Sequence, residues 1–129
     1  MLVVDASVLV KYVSREEGWQ EARKLISMGV YTVKLALKET ANAMWKKAML
    51  GEVNLDKVLE IIKGLYNAVS LIDQDAVLPE AVEVALKHRI TVYDALYIAA
   101  AKKLKASLAT ADEKQAEAAK NEGVDVVLI

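Results

Sequence analysis

MLVVDASVLV, residues 1–10, sets the fold. Leu2 to Val4 are aliphatic with no polar residue between them, as in a strand covered on both faces, and Ala6 to Val13 carry the spacing of a short helix. Only Asp5 separates the two segments. A strand that runs straight into a helix is the repeating step of a parallel sheet, and the rest of the chain repeats that step.

Trp19 to Met28 read as a helix that stops at Gly29, where a left-handed residue fits after the last turn. Val30 to Leu35 make a second strand. Leu37, Ala41, Met44, Trp45 and Ala48 then follow helical spacing up to Gly51. Asn54 can cap a helix from Leu55 to about Ala68, and Val69 to Ile72 form a further strand. Pro79, the only proline, suits the first turn of a helix that continues to about Lys87, with Asp75 near its start. Val92 to Leu104 form the most apolar helix. Ser107 to Ala109 read as a strand, Asp112 to Asn121 as a helix ending before Gly123, and Val124 to Ile129 as a last strand. Short apolar strands alternating with longer amphipathic helices predict an α/β fold, a central parallel sheet with helices on both faces. With no linker or repeat, residues 1–129 are expected to be a single domain.

The chain is 55% hydrophobic and 27% charged, a composition that excludes a disordered tail. It contains no cysteine, which excludes disulfides and thiolate metal sites. No run approaches a membrane span, and MLVVD lacks the basic leader of a signal peptide. The expectation is a cytoplasmic protein with no membrane partner. A net charge of −1 offers no global attraction for nucleic acid. Between residues 22 and 51, however, Arg23, Lys24, Lys34, Lys38, Lys46 and Lys47 face a single acid, Glu39. These bases form either a solvated face or a phosphate-binding patch.

Most carboxylates, among them Glu16, Glu17, Glu21, Glu60, Glu80, Glu83, Glu117 and Glu122, fall on polar helix faces near lysines. Asp94 does not, being the only charge between Val92 and Ala101, and a buried unpaired carboxylate needs a cation, a donor or water. Taken singly, each aspartate has a simpler role. Asp94 with Thr91 resembles a capping box, Asp5 can cap the helix at Ala6 with Ser7 adding a second oxygen, and Asp112 lies in a first helical turn where Thr110 and Glu113 make a capping box. Taken together, three aspartates at strand ends and helix starts of one sheet converge on the edge where ligands gather. Carboxylates so placed repel one another unless a divalent cation neutralises them. Oxygen-only ligands point to Mg²⁺ or Mn²⁺, used in phosphoryl transfer or hydrolysis.

VVDASVLVKY, the E-T-A-N of KETANAMWK, TVYDALYIAAAKK and LATADEKQ, taken in this order, resemble a PIN domain from Leu2 to about Lys120, and most closely the short PIN proteins of VapC type. That resemblance implies a small metal-dependent endoribonuclease, the toxin of a toxin–antitoxin pair. It implies an acidic quartet at Asp5, Glu39, Asp94 and Asp112 that holds Mg²⁺ or Mn²⁺, with Ser7, Asn42 and Thr110 orienting carboxylates or waters. It also implies an RNA substrate, a small VapB-like antitoxin and a homodimer. Glu39 enters by resemblance alone, since periodicity puts it on the side away from the Leu37, Ala41, Met44 stripe. Lys34, Lys38 and Lys46 are candidates for gripping the RNA backbone. The family often has a proline before the helix bearing the glutamate, where this chain reads VKLALKE.

His88, the only histidine, reads as a surface or capping residue. No G-x-S-x-G elbow, P-loop or dinucleotide fingerprint is present. Trp19, Trp45 and most tyrosines read as core rather than base-stacking residues. A PIN nuclease of RNA processing, or a catalytically silent binding module on the same fold, stays open as an alternative to the toxin.

Overall fold

The computed structural model describes residues 1–129. In chain order the elements are β1 (Leu2–Val4), α1 (Ala6–Val13), α2 (Trp19–Ser27), β2 (Val30–Val33), α3 (Lys34–Met49), α4 (Leu55–Ala68), β3 (Val69–Ile72), α5 (Leu78–His88), α6 (Val92–Leu104), β4 (Ser107–Thr110), α7 (Glu113–Asn121) and β5 (Val126–Leu128). All strands are parallel, in the order β3-β2-β1-β4-β5. Val3 pairs with Tyr31 on one side and with Leu108 on the other. No helix is long and apolar enough to cross a membrane.

This order decides where a site can form. From β1 the chain moves outward one way, through β2 to β3, and from β4 it moves the other way to β5. Parallel crossovers are right-handed, so α1–α4 pack on one face of the sheet and α5–α7 on the other. The contacts agree: α1 packs on α2 and α3, α6 packs on α5 and α7, and both α1 and α6 touch β1 and β4. The strand order therefore reverses between β1 and β4, and their carboxyl ends lie side by side at that reversal, the edge where ligands gather in sheets of this kind.

The core follows from the apolar runs. Val3, Val4, Leu108 and Ala109 of the central strands are fully buried, and every residue of α6 from Ala95 to Ala101 is buried. A helix covered on all sides is hydrophobic all round, as the stretch ALYIAAA is. Gly29, with φ of 87°, closes α2 as expected.

Several boundaries differ from the sequence reading. The second strand ends at Val33, because Lys34 already begins α3; with no proline at this helix start, the Leu35 N–H is free in the first turn and Gln74 Oε1 accepts it at 2.8 Å. The strand before Asp112 extends to Thr110, and the last strand shrinks to Val126–Leu128. Trp45 is 55% exposed and not in the core. The buried line of α3 runs through Ala36, Leu37, Thr40 and Met44, and Trp45 sits about 100° round the helix from Met44. Of the tryptophans and tyrosines only Tyr97 is fully buried, while Trp19 lies under the Arg15 guanidinium at 4.0 Å.

Glu122 and His88 are not simple surface residues either. The Glu122 side chain is 8% exposed and takes Lys102 Nζ at 2.8 Å, His88 Nε2 at 2.5 Å and Lys87 Nζ at 3.2 Å. Hydrogen bonds from Lys102 and His88 lower its carboxyl to about 2. This cluster ties the ends of α5, α6 and α7 together on the side of the molecule away from the strands' carboxyl ends.

Candidate active site

Asp5 follows β1 and caps α1, its Oδ1 accepting the Val8 N–H at 3.3 Å. It is 3% exposed. A carboxylate so deep needs donors, and two hydroxyls supply them: Ser7 Oγ donates to Oδ1 and Thr110 Oγ1 to Oδ2, both at 2.5 Å. Burial nevertheless outweighs these bonds and pushes the Asp5 carboxyl up to about 6. Thr110, at the end of β4, also accepts the Asp112 N–H at 3.0 Å, and Ser7 Oγ accepts the Ala111 N–H at 2.9 Å. The ends of these two strands are thus stitched together by hydroxyls.

Asp112 is exposed and is itself the N-cap of α7, its Oδ1 accepting Lys114 N–H at 2.9 Å and Gln115 N–H at 3.3 Å. The expected capping box of Thr110 and Glu113 does not form, because Thr110 lies within the strand. Asp94 is half-buried in the first turn of α6, where Thr91 Oγ1 accepts its N–H at 3.1 Å. Thr91, not Asp94, is the cap. Burial first, and the charge of Asp112 second, raise the Asp94 carboxyl, with Thr91 and Lys114 opposing. Gln115 is 2% exposed and donates from Nε2 to the Asp94 carbonyl at 3.2 Å, which fixes α6 against α7.

Glu39 comes from α3, on the other face of the sheet. It is half-buried, not solvated, and Tyr97 Oη donates to its Oε1 at 2.5 Å. Burial, then the bond to Glu39 and the charges of Glu39 and Asp5, raise the Tyr97 phenol far above its ordinary range, so it stays a donor. Asn42 is exposed one turn further along α3 and makes no side-chain hydrogen bond. Lys34, Lys38 and Lys46 are exposed on the same helix and form no ion pairs.

The four acids therefore reach one edge of the sheet, but no three lie close enough together to enclose an ion. Like charges held on separate elements stand apart. The donor set is still one that hard divalent cations take: carboxylate oxygens only, with the buried Asp5 oriented by hydroxyls as ligating carboxylates commonly are. Three residues of this edge escape sequence reading. Tyr97 and Gln115 look like helix filler, and Lys114 looks like one more surface base.

Residues 2–121 match the family model described as PIN domain. The chain belongs to the PIN domain family. A Pyrobaculum aerophilum protein named Ribonuclease VapC3 is 36% identical over 121 residues, spanning 90% of this chain and 92% of its own. A second protein of that organism, named Exonuclease VapC9, is 30% identical over 112 residues, 87% of this chain and 80% of its own. Among solved structures, PAE2754 from Pyrobaculum aerophilum superposes with a TM-score of 0.74 at 26% identity, covering 98% of this chain and 88% of that one. FitAcB from Neisseria gonorrhoeae, at 21% identity and a TM-score of 0.57 over 98% of this chain and 96% of its own, shares the fold. The likeness to VapC proteins runs over most of this PIN chain and supports a nuclease of VapC type.

Proposed function

We propose that this PIN protein hydrolyses RNA phosphodiester bonds as an endonuclease, with Mg²⁺ or Mn²⁺ held by Asp5, Glu39, Asp94 and Asp112, and that it is the toxin of a cytoplasmic toxin–antitoxin pair whose partner is a small VapB-like protein. The observation that carries this reading is the stitching of the β1 and β4 ends, Asp5 and Asp112, across the reversal of strand order. The cation's contribution is to activate water and to neutralise charge developing on phosphate. The protein's own part is positional. Ser7 and Thr110 orient the Asp5 carboxylate, Asn42 faces solvent one turn beyond Glu39, and Lys34, Lys38 and Lys46 are free to hold phosphates. The edge is open, with Asp112 exposed, which suits a strand passing across it better than a chain end threaded into a cavity.

The test compares a linear RNA with the same sequence closed into a circle, with Mg²⁺ or Mn²⁺ and with EDTA, and uses Asp94→Asn purified in parallel as the control for contaminating nuclease. Metal-dependent cleavage of both RNAs is expected. Cleavage of the linear RNA alone would make the enzyme an exonuclease, and no cleavage by wild type would remove the nuclease reading.

For the expected homodimer, the side of α5 turned away from the core is the interface we propose. Leu78, Val82 and Leu86 are 42%, 40% and 78% exposed along one side of that helix. Two copies of α5 packed antiparallel about a two-fold axis would cover this apolar side on both. Wild type is expected to sediment as a dimer and Leu86→Asp as a monomer with unchanged circular dichroism; a monomeric wild type would discard the interface.

A further inference from the structure

Glu39 and Asp94 come from opposite faces of the sheet, α3 and α6, and one hydrogen bond joins those helices at the acidic edge: Tyr97 Oη to Glu39 Oε1 at 2.5 Å. We infer that Tyr97 is a positioning residue, which clamps one oxygen of Glu39 so that the other is presented to a divalent cation at the edge. The inference rests on the metal-nuclease reading above.

Three features lead there. Tyr97 lies one turn after Asp94 on the same helix and is 1% exposed, so its ring has a single place in the core. Its oxygen sits beside the backbone of Ala6 as well as Glu39, next to Asp5, so the phenol stands where α1, α3 and α6 meet. Glu39 makes no other side-chain hydrogen bond and no ion pair: Oε1 is taken and Oε2 carries no protein partner. A glutamate on two or three free torsions would otherwise sample many directions, and the cost of ordering it would fall on metal binding. A core tyrosine that merely needed an acceptor would give the same bond, so the two roles must be separated by measurement.

The experiment is a double-mutant cycle in the full chain with Tyr97→Phe, Glu39→Gln and both together. Mn²⁺ affinity is read from the electron paramagnetic resonance of the free ion, and kcat and KM from RNA cleavage. Tyr97→Phe keeps the ring and is expected to weaken Mn²⁺ binding and lower kcat by about 10- to 100-fold, the range for a partner that orients a ligand, with KM for RNA little changed. In the Glu39→Gln background the same substitution is expected to add less than about 2-fold, because the group it acts through is gone. A Tyr97→Phe protein that binds Mn²⁺ and cleaves like wild type overturns the assignment, as does a loss that is undiminished in Glu39→Gln. A wild type that neither binds Mn²⁺ nor cleaves overturns the nuclease reading and this assignment with it, a result distinct from an active wild type that Tyr97→Phe matches.

Discussion

With Asn at position 5, RNA cleavage is expected to fall by more than about 100-fold while the metal-free protein becomes more stable near neutral pH by about 1–2 kcal/mol. The two effects share one cause. Asp5 is 3% exposed, and burial pushes its carboxyl from 3.8 up to about 6. A group whose folded value is raised contributes stability when protonated, below its unfolded value, and that contribution is lost as pH rises through the folded value. Between about 4 and 6 the folded state binds the extra proton, so the stability of wild type falls as pH rises across that window; above it the ionised carboxylate is a standing cost. The full shift corresponds to about 3 kcal/mol, at about 1.4 per unit. Asn recovers only part of it, since its amide must replace a carboxylate that accepts Ser7, Thr110 and Val8 together. For activity, partners that orient a ligating carboxylate are worth about 10- to 100-fold, so removing the carboxylate itself costs more. Urea unfolding of both proteins from about pH 4 to pH 8, without metal, reads the first effect: the advantage of Asp5→Asn is expected near neutrality and should vanish toward pH 4. A variant less stable than wild type at every pH would mean that the buried carboxylate is not strained by its setting.

Capping and site chemistry look like alternatives when Asp5 and Asp112 are read as letters, but the structure makes each of them do the first, and the second is proposed on top of it. The side chain that caps α1 through Val8 also takes two hydroxyls, and the one that caps α7 stands at the open edge. A helix start just past a strand is where backbone N–H groups and acids meet in any parallel α/β protein, so a motif count cannot separate the roles. The run Leu2–Val4 announces a parallel strand because no polar residue interrupts it. The order of the strands in the sheet is not written in any one of them, and it is that order that sets the ends of β1 and β4 side by side where the chain changes direction.

Glu39 marks the limit from the other side. Its helix has a buried line at Ala36, Leu37, Thr40 and Met44, and by period alone Glu39 belongs to water. What half-buries it is Tyr97, a residue 58 positions away on the opposite face of the sheet. Gln115 is similar: its worth lies in the carbonyl of Asp94, 21 positions back. Glu122 reads as a solvated glutamate because its lysine and histidine partners, Lys102 and His88, come from other helices. Long-range polar pairs of this kind leave no periodic trace, whereas core stripes do.

Shortening Ile98 to Ala is expected to cost about 3–5 kcal/mol, the upper part of the range for a buried isoleucine and a large fraction of the 5–15 kcal/mol that holds a domain of this size. The reason is the company Ile98 keeps. It is fully buried in α6, where Ala95, Ala99, Ala100 and Ala101 are fully buried too, and the helix touches β1, β2, β4, α5 and α7. Those alanines let strands and helices approach closely, so the large side chains that α6 itself adds to the core over this stretch are Leu96, Tyr97 and Ile98. Alanines cannot swing into a hole, Tyr97 is held by Glu39, and the surrounding elements are fixed on every side. The space left by the lost atoms therefore persists, and a persistent cavity is what separates costly truncations from mild ones. Urea unfolding is expected to show a midpoint lowered at unchanged slope, which marks lost stability and not an altered native state. Cleavage per folded molecule should remain close to wild type well below the transition, because Ile98 is fully buried in the core and carries no polar group toward the acids. A loss under about 1.5 kcal/mol would show that the layers close over the gap. In that case the alanines of α6 would be read as slack in the packing and not as its tightest seam.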